Sequence, residues 1–317
     1  MAALVLCSST SLAGLAQTFP DRPIKLVVAI PAGGAVDGLA RILAEGAGKR
    51  LGQNVVVENR IGGSGAIAVQ HVIKQPADGY TVYLTANAAF SLIPLVRKMP
   101  YRPLEDFSFI GRLAFAPNVI AIPARLPATT LQEFVALAKS KPGQLNYGTM
   151  LGVPQHIDFE RFKRATGTQI VLVPYPGGPT VVNAMLGGQV DVTLFNAALF
   201  TEWVKSGKVR ALATTASKRI AAMPDVPTLA EAGLADVKLD EGNFYALVGP
   251  AGMPAPIIDK LYRAFADVVN DPSTRKRFEE IGFEASLKEG EAFKKDLQRE
   301  LVENERMVKT LDIKLTD

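Results

Sequence analysis

One cysteine, one tryptophan and two histidines are all that this 317-residue chain has of those residue types. The scarcity excludes much. Cys7 lies in the apolar start "MAALVLCSSTSLAGLA". A chain that loses this start has no thiol, hence no disulfide and no thiolate chemistry, and such a chain suits an oxidising compartment. With only His71 and His156 left, the usual zinc ligand sets cannot be assembled, and no metal is expected. After the first sixteen residues no apolar run approaches the ~18 needed to span a bilayer. No basic run is interleaved with aromatics, so the formal net charge of +4 reads as solvated surface and no nucleic-acid partner is expected. A positive field of this kind can still steer acidic small molecules.

What is present is an ordinary globular composition, 48% hydrophobic and 21% charged, with ample core for one large domain or two smaller ones. Residues 1–16 carry no charge, and polar "QTFPDRP" follows them. They read as the later part of a secretory signal peptide, with Gly14 and Ala16 at the small-residue cleavage positions. The positive start usual in such peptides is missing, which points to an earlier true start; the alternative is a buried first helix. Leu6 is too large for a lipoprotein signal at Cys7. The expected product is exported and soluble.

Strand-like runs alternate with helical periods along the rest of the chain. "IKLVVAI", "NVVVEN" and "TVYLTAN" are separated by amphipathic stretches at Val36–Arg50 and Ala66–Lys74. In the first stretch Val36, Leu39, Ala40, Leu43 and Ala47 share one helical face. "NVIAIPA", "QLNYGT", "IVLVPY", "DVTLFN" and "VRALATT" continue the alternation, and Pro256–Asn270 and Glu291–Leu311 are long helical patterns. The order implies βαβ units, an α/β fold and mostly parallel sheets flanked by helices. Two Pro- and Gly-punctuated apolar stretches, "FAPNVIAIPARLPATT" and "DVKLDEGNFYALVGPAGMPAP", suit strands crossing between two domains. The division expected is 17–115 plus 246–317 for the first and 116–245 for the second. Ligands bind at the carboxyl ends of parallel strands, so facing sheets leave a cleft between them.

Three glycine loops sit at strand ends. The first, Pro31–Asp37, holds Ala32, Gly33, Gly34 and Asp37 in front of a helix start. A Walker loop needs G-x-x-x-x-G-K-[ST], which is absent. A dinucleotide fingerprint can be forced on Gly63, Gly65 and Ala68, but no ribose-binding acid follows, and no cofactor is expected. "GGSGA" misses the last glycine of a nucleophile elbow, and no acid pair lies near a glycine loop. A carboxylate guest fits better: Gly33 and Gly34 let the backbone approach it, and the helix start adds about half a positive charge. Asp37 opposes such a guest, and first-turn helix stabilisation accounts for it more simply. In the second loop, "NYGTMLGVPQHIDF", Thr149 is a donor and the N–H groups around Gly152 suit an anion nest. The third, "VPYPGGP", repeats strand, loop and helix. His71 is expected on a helix surface.

Taken in order, "RPIKLVVAIPAGGAVDGLARILAE", "LGQNVVVENRIGGSGAIA", "PADGYTVYL", "YRPLEDFSFIG", "NYGT", "VPYPGGP", "GKVRALATT", "PDVPTLAEAGL" and "GPAGMPAPII" resemble the Bug-type receptors of tripartite tricarboxylate transporters. The resemblance covers essentially the whole chain after residue 16. It implies a two-domain periplasmic binding fold, a Venus flytrap with two crossover strands, that captures a small organic acid and delivers it to membrane subunits. It implies no enzyme activity, and the receptor is expected to be a monomer. Docking on a sensor kinase and, further off, an enzyme on the same scaffold are the alternatives. By the same resemblance one carboxylate is held by the facing loops Pro31–Asp37 and Thr149–Gln155. Ala86, Asn87 and Ala88, then Tyr175, Gly177 and Gly178, and Asn196, line the cleft. The chain departs from the family at Met150, Leu151, Val153 and Pro154, where small or polar residues are usual. That departure implies either an apolar ligand body or a weakened clamp, since Pro154 offers no N–H. Met150, Gly152, Val153 and Gln155 are candidate contacts. His156 suits a cap or packing role. Asn243, Phe244 and Tyr245 fall at the crossover, where hinge packing and ligand lining are both open.

Overall fold

A computed structural model describes residues 19–237 and 239–310; the leader expected over 1–16 lies outside the described residues. The apolar runs become strands β1 (Ile24–Val28), β2 (Val55–Asn59), β3 (Thr81–Ala86), β4 (Phe107–Pro123), β5 (Asn146–Thr149), β6 (Val171–Pro174), β7 (Thr193–Asn196), β8 (Val209–Thr214), β9 (Gly242–Pro250) and β10 (Glu284–Glu289). Helices α1 (Ala35–Leu51), α2 (Ala66–Ile73), α3 (Ala88–Ser91) and α4 (Ile93–Val96) belong to the first part of the chain. The middle holds α5 (Leu131–Ser140), α6 (Pro154–Thr166), α7 (Gly178–Leu186) and α8 (Thr201–Lys205), and α9 (Ala255–Asn270), α10 (Pro272–Glu280) and α11 (Gly290–Thr310) close it.

Local chemistry explains the boundaries. The apolar stripe of α1 buries Leu39, Ala40, Leu43 and Ala47 completely, and Gly52, at φ 69°, ends the helix by donating to Gly48 O. Thr130 and Glu133 form a reciprocal capping box at the start of α5. From Leu26 onward β1 is an apolar run because it is covered on both faces, while Lys25 near its start stays exposed. Leu26 and Val28 join the core under α1, α9 and α10, whereas Val27 joins the core with Val69 and Val72 of α2 and Phe293 and Leu297 of α11. A helix–sheet–helix sandwich results.

The middle of the chain builds a second sandwich. One of its cores packs Phe134 of α5 with Phe159 and Phe162 of α6; the other packs Val181 and Met185 of α7 with Phe195 and Phe200. Tyr147 stacks on Phe159 with ring centroids 3.6 Å apart. Burying each such ring contributes about 1.5–3 kcal/mol.

The α/β class expected from the sequence is observed, but the sheets are mixed rather than mostly parallel. In the first lobe the order is β10-β4-β9-β3-β1-β2, with β1 parallel to β2 and β3 and the remaining neighbours antiparallel. In the second, β5 and β6 are parallel, and β7 and β8 run antiparallel to β4. The cause is the crossing itself. β4 leaves the first lobe and β9 returns to it, so the two pair antiparallel from Phe107–Pro250 to Pro117–Gly242. Partners of β4 change at one step: through Pro117 it pairs with β9, and from Asn118 onward with β7 and β8. Among the described residues no helix is long and apolar enough to cross a membrane.

Candidate ligand cleft

The β1–α1 loop is shaped by Asp37. This buried carboxylate accepts from Arg41 Nε at 2.8 Å, Gly33 N at 2.9 Å and Asn59 Nδ2 at 2.9 Å. Its hydrogen bond with Arg41, helped by Gly33 and Asn59, holds its pKa down at about 2 against the desolvation that opposes it. Asn59 also donates to Ile30 O, so the loop is tied to β2. Gly33 takes φ 88°, a left-handed conformation that glycine adopts without strain. The acid therefore positions the loop and has no free face for a guest. Gly34 caps α1 in extended conformation with no side-chain hydrogen bond, so the first N–H groups of the helix have no side-chain acceptor at the cap.

Two more helices start the same way. Val153 caps α6 and Gly177 caps α7, each extended and each without a side-chain cap, with proline in the first turn. Residues of all three helix starts line one cavity of about 400 Å³. Ala35 and Val36 come from α1, Val153, Pro154 and Gln155 from α6, and Gly178 and Pro179 from α7. Ala86 and Ala88 flank the end of β3, Met150 follows β5, and Phe195, Asn196, Ala198 and Leu199 follow one another at the end of β7. Asn243 and Tyr245 of β9, with Ile281 and Phe283 before β10, complete the lining. The first lobe gives one wall and the second the other. Each helix start carries about half a positive charge, so an anion is favoured where they converge. Among the described residues, no charged side chain lines the cavity.

Of the residues expected at the site, Ala86, Ala88, Met150, Val153, Gln155, Gly178, Asn196 and Asn243 meet here. The others are placed off the lining, each for a local reason. Ala32, Gly33 and Gly34 are exposed in the loop that leads into α1. The side chain of Asn87 turns away, donating to Glu300 Oε1 at 2.6 Å and accepting from Phe244 N at 3.1 Å. Thr149 is fully buried; its carbonyl accepts from Tyr175 N, and Tyr175 packs against the neighbouring core. The N–H of Gly152 is spent on His156 Nδ1 at 3.3 Å, and burial pushes this imidazole's pKa down, which keeps the acceptor neutral. Gly177 O receives Thr180 Oγ1. Phe244 faces the other side of β9, against Phe115 and under the Arg112 guanidinium. His71, expected on a helix surface, is half-buried and desolvated.

Ala35, Val36 and Pro179 fall within the loops read from the sequence without being singled out there; sequence reading misses Phe195, Ala198, Leu199, Ile281 and Phe283, and leaves Tyr245 open. Period two along β9 already pairs Tyr245 with Asn243 and separates both from Phe244. Ile281 and Phe283 carry no local signal at all. The cleft has a neutral polar floor: Gln155 Nε2 lies 3.5 Å from Asn118 Oδ1, Asn118 is in register with Asn196, and Asn118 Nδ2 and Asn243 Oδ1 are buried without partners.

Behind the cleft runs a charged network between the lobes. Glu300 of α11 accepts from Asn87 Nδ2 and from Ser91 Oγ at 2.7 Å. Asn304 donates to Ser91 O and accepts from Arg161 of α6, which also pairs with Asp158 and Asp240 at 3.2 and 3.3 Å. Burial raises the pKa of Asp158 and Asp240, and burial with the charge of Asp240 raises Glu300 to about 7. Other contacts between the lobes lie at the rim. Ala221 N donates to Glu284 Oε1, and Gly282 lies so close to Ala198 that a methyl group on it would collide with the Ala198 side chain.

Residues 39–313 match the model of the tripartite tricarboxylate transporter family receptor. A UPF0065 protein of Bordetella bronchiseptica is 33% identical, covering 98% of this chain and 92% of its own length. The protein BugT of Bordetella pertussis is 35% identical, with coverage of 83% and 81%. Among solved structures, an unliganded TctC solute-binding protein from Polaromonas superposes with a TM-score of 0.81 at 31% identity, covering 92% of this chain and all of that one. An R. palustris protein with adipate gives 0.79 at 31%, covering 94% and 100%. MatC of Rhodopseudomonas palustris with bound malate gives 0.72 at 28%, covering 92% and 100%.

Proposed function

The chain belongs to the tripartite tricarboxylate transporter receptor family, and from that premise we propose that it is a periplasmic solute-binding receptor for a small organic carboxylate. The observation that carries the reading is the convergence of three uncapped helix starts on one cavity between two lobes. A carboxylate placed there takes up backbone N–H groups that no side chain answers. That adipate and malate occupy two of the solved relatives supports the same ligand chemistry.

In this reading the lobes are 17–115 with 246–317 and 116–245, and they close on the ligand about the paired strands β4 and β9. Only contacts made in the closed form shift the balance toward closure. The closed monomer then docks on membrane subunits and releases its cargo. The leader 1–16 is removed on export. The cavity is a poor reaction centre. Among the described lining residues there is no Ser, Cys, His, Lys, Asp or Glu, and burial lifts the Tyr245 phenol to about 12.

Calorimetry across benzoate, adipate, malate and citrate, with recovery of the ligand afterwards, tests the proposal. Saturable binding of at least one acid, recovered unchanged, is expected. No binding by any carboxylate, or recovery of a chemically altered one, overturns it.

A further inference from the structure

The cavity's walls differ sharply from its floor, and this difference bears on which carboxylate it takes. Resting on the receptor reading, the inference starts from charge. Three helix starts contribute about half a positive charge each, which suits one carboxylate. A second ionised carboxylate buried in the same space needs a cation or a dense set of donors, because an unpaired buried charge is costly. No such cation lines the cleft among the described residues. The arginines of the neighbourhood are engaged elsewhere. Arg41 is held by Asp37, Arg161 by Asp158 and Asp240, and Arg112 lies over Phe244 on the opposite face of β9 from Asn243 and Tyr245.

The rest of the wall is hydrocarbon. Tyr245 and Phe283 meet edge to face with ring centroids 5.1 Å apart, a preformed aromatic corner contributed by the first lobe. Ile281 stands beside it, and Phe195, Leu199 and Met150 come from the second lobe. Met150 is half-buried and unbranched, so it can adapt to a flat or irregular apolar guest. At about 400 Å³ the space is within the range of small-molecule sites.

We propose that the cleft is built for a monocarboxylate with a ring or branched hydrocarbon body. The carboxylate sits at the helix starts, over the amide floor of Gln155, Asn196 and Asn243. The body lies against Met150, Phe195, Tyr245 and Phe283, and the same wall rejects a second ionised carboxylate.

Calorimetry at a pH where all acids are ionised compares benzoate with terephthalate and cyclohexanecarboxylate with cyclohexane-1,4-dicarboxylate. Each monoacid is expected to bind about tenfold tighter, or more, than the diacid on the same skeleton. A diacid that binds as tightly as its monoacid overturns the proposal and leaves the receptor reading standing. So does failure of all four acids when citrate or malate binds. Failure of every carboxylate overturns both. Met150→Lys supplies a cation at the hydrocarbon end and is expected to bring the diacids to parity or better. An unchanged ranking in that variant, with an unchanged melting temperature, removes Met150 from the wall and overturns the assignment.

Discussion

Glu300→Gln should stabilise this protein at alkaline pH and leave it nearly unchanged in mild acid. Glu300 is half-buried behind the cleft, and its carboxyl is raised from the ordinary 4.5 to about 7 by desolvation and, second, by the charge of Asp240. The folded chain therefore holds a proton that the unfolded chain gives up between these two values. The associated stability is fully present below 4.5 and is lost as pH rises through 7. At roughly 1.4 kcal/mol per pH unit, the ionised carboxylate costs the folded state about 3 kcal/mol on the alkaline side. Glutamine removes that cost and keeps the geometry, because its amide oxygen can accept from Asn87 Nδ2 and Ser91 Oγ as Glu300 Oε1 does. It also relieves Asp158, whose carboxyl Glu300 pushes upward, and this acts in the same direction. Urea unfolding of both proteins between about pH 5 and 8 should show the variant gaining about 2–3 kcal/mol across the window. Stability profiles that run parallel would refute the reasoning, since the two hydrogen bonds alone predict no pH dependence.

Gly282→Ala should weaken ligand binding by about tenfold or more, because its methyl group would meet Ala198 across the cleft and because alanine at φ 81° strains the turn between the lining residues Ile281 and Phe283. Titration calorimetry checks this, and unchanged affinity would show that the rim contact does not report on closure. Exported protein should begin near Gln17, which intact mass measurement decides; retention of Met1–Ala16 would contradict removal of a leader.

The elements were legible because burial on both faces leaves apolar runs, and β1, β3 and α1 appear within a residue or two of where periodicity puts them. The mixed sheet was not legible. Alternation of strand and helix implies parallel neighbours, and nothing local says that β9 returns to lie between β3 and β4. Residues from all three glycine loops line the cavity, though not every residue singled out in those loops does. Which residue faces the ligand depends on how a loop leaves its strand, and Asn87, Gly152 and Phe244 each turn to a partner that only the folded chain supplies. Asp37 carried two readings in the sequence, guest repulsion or helix start. Its three donors resolve it as the brace of its own loop. Ile281 and Phe283 lie far along the chain from every glycine loop, and only the return of the chain toward β10 brings them to the wall.

The threading of β9 also sets a timetable for the newly made chain. Everything from α5 to β8, four helices and four strands, is contiguous and precedes β9. The first lobe has its opening strands early, but the middle of its sheet is empty until Gly242–Pro250 arrives to join β3 to β4. A chain delivered N-terminus first therefore holds β1 to β3 with an unpaired edge while the later sandwich assembles. The slow, long-range step belongs to the part of the molecule that begins the sequence, and the part in the middle finishes first.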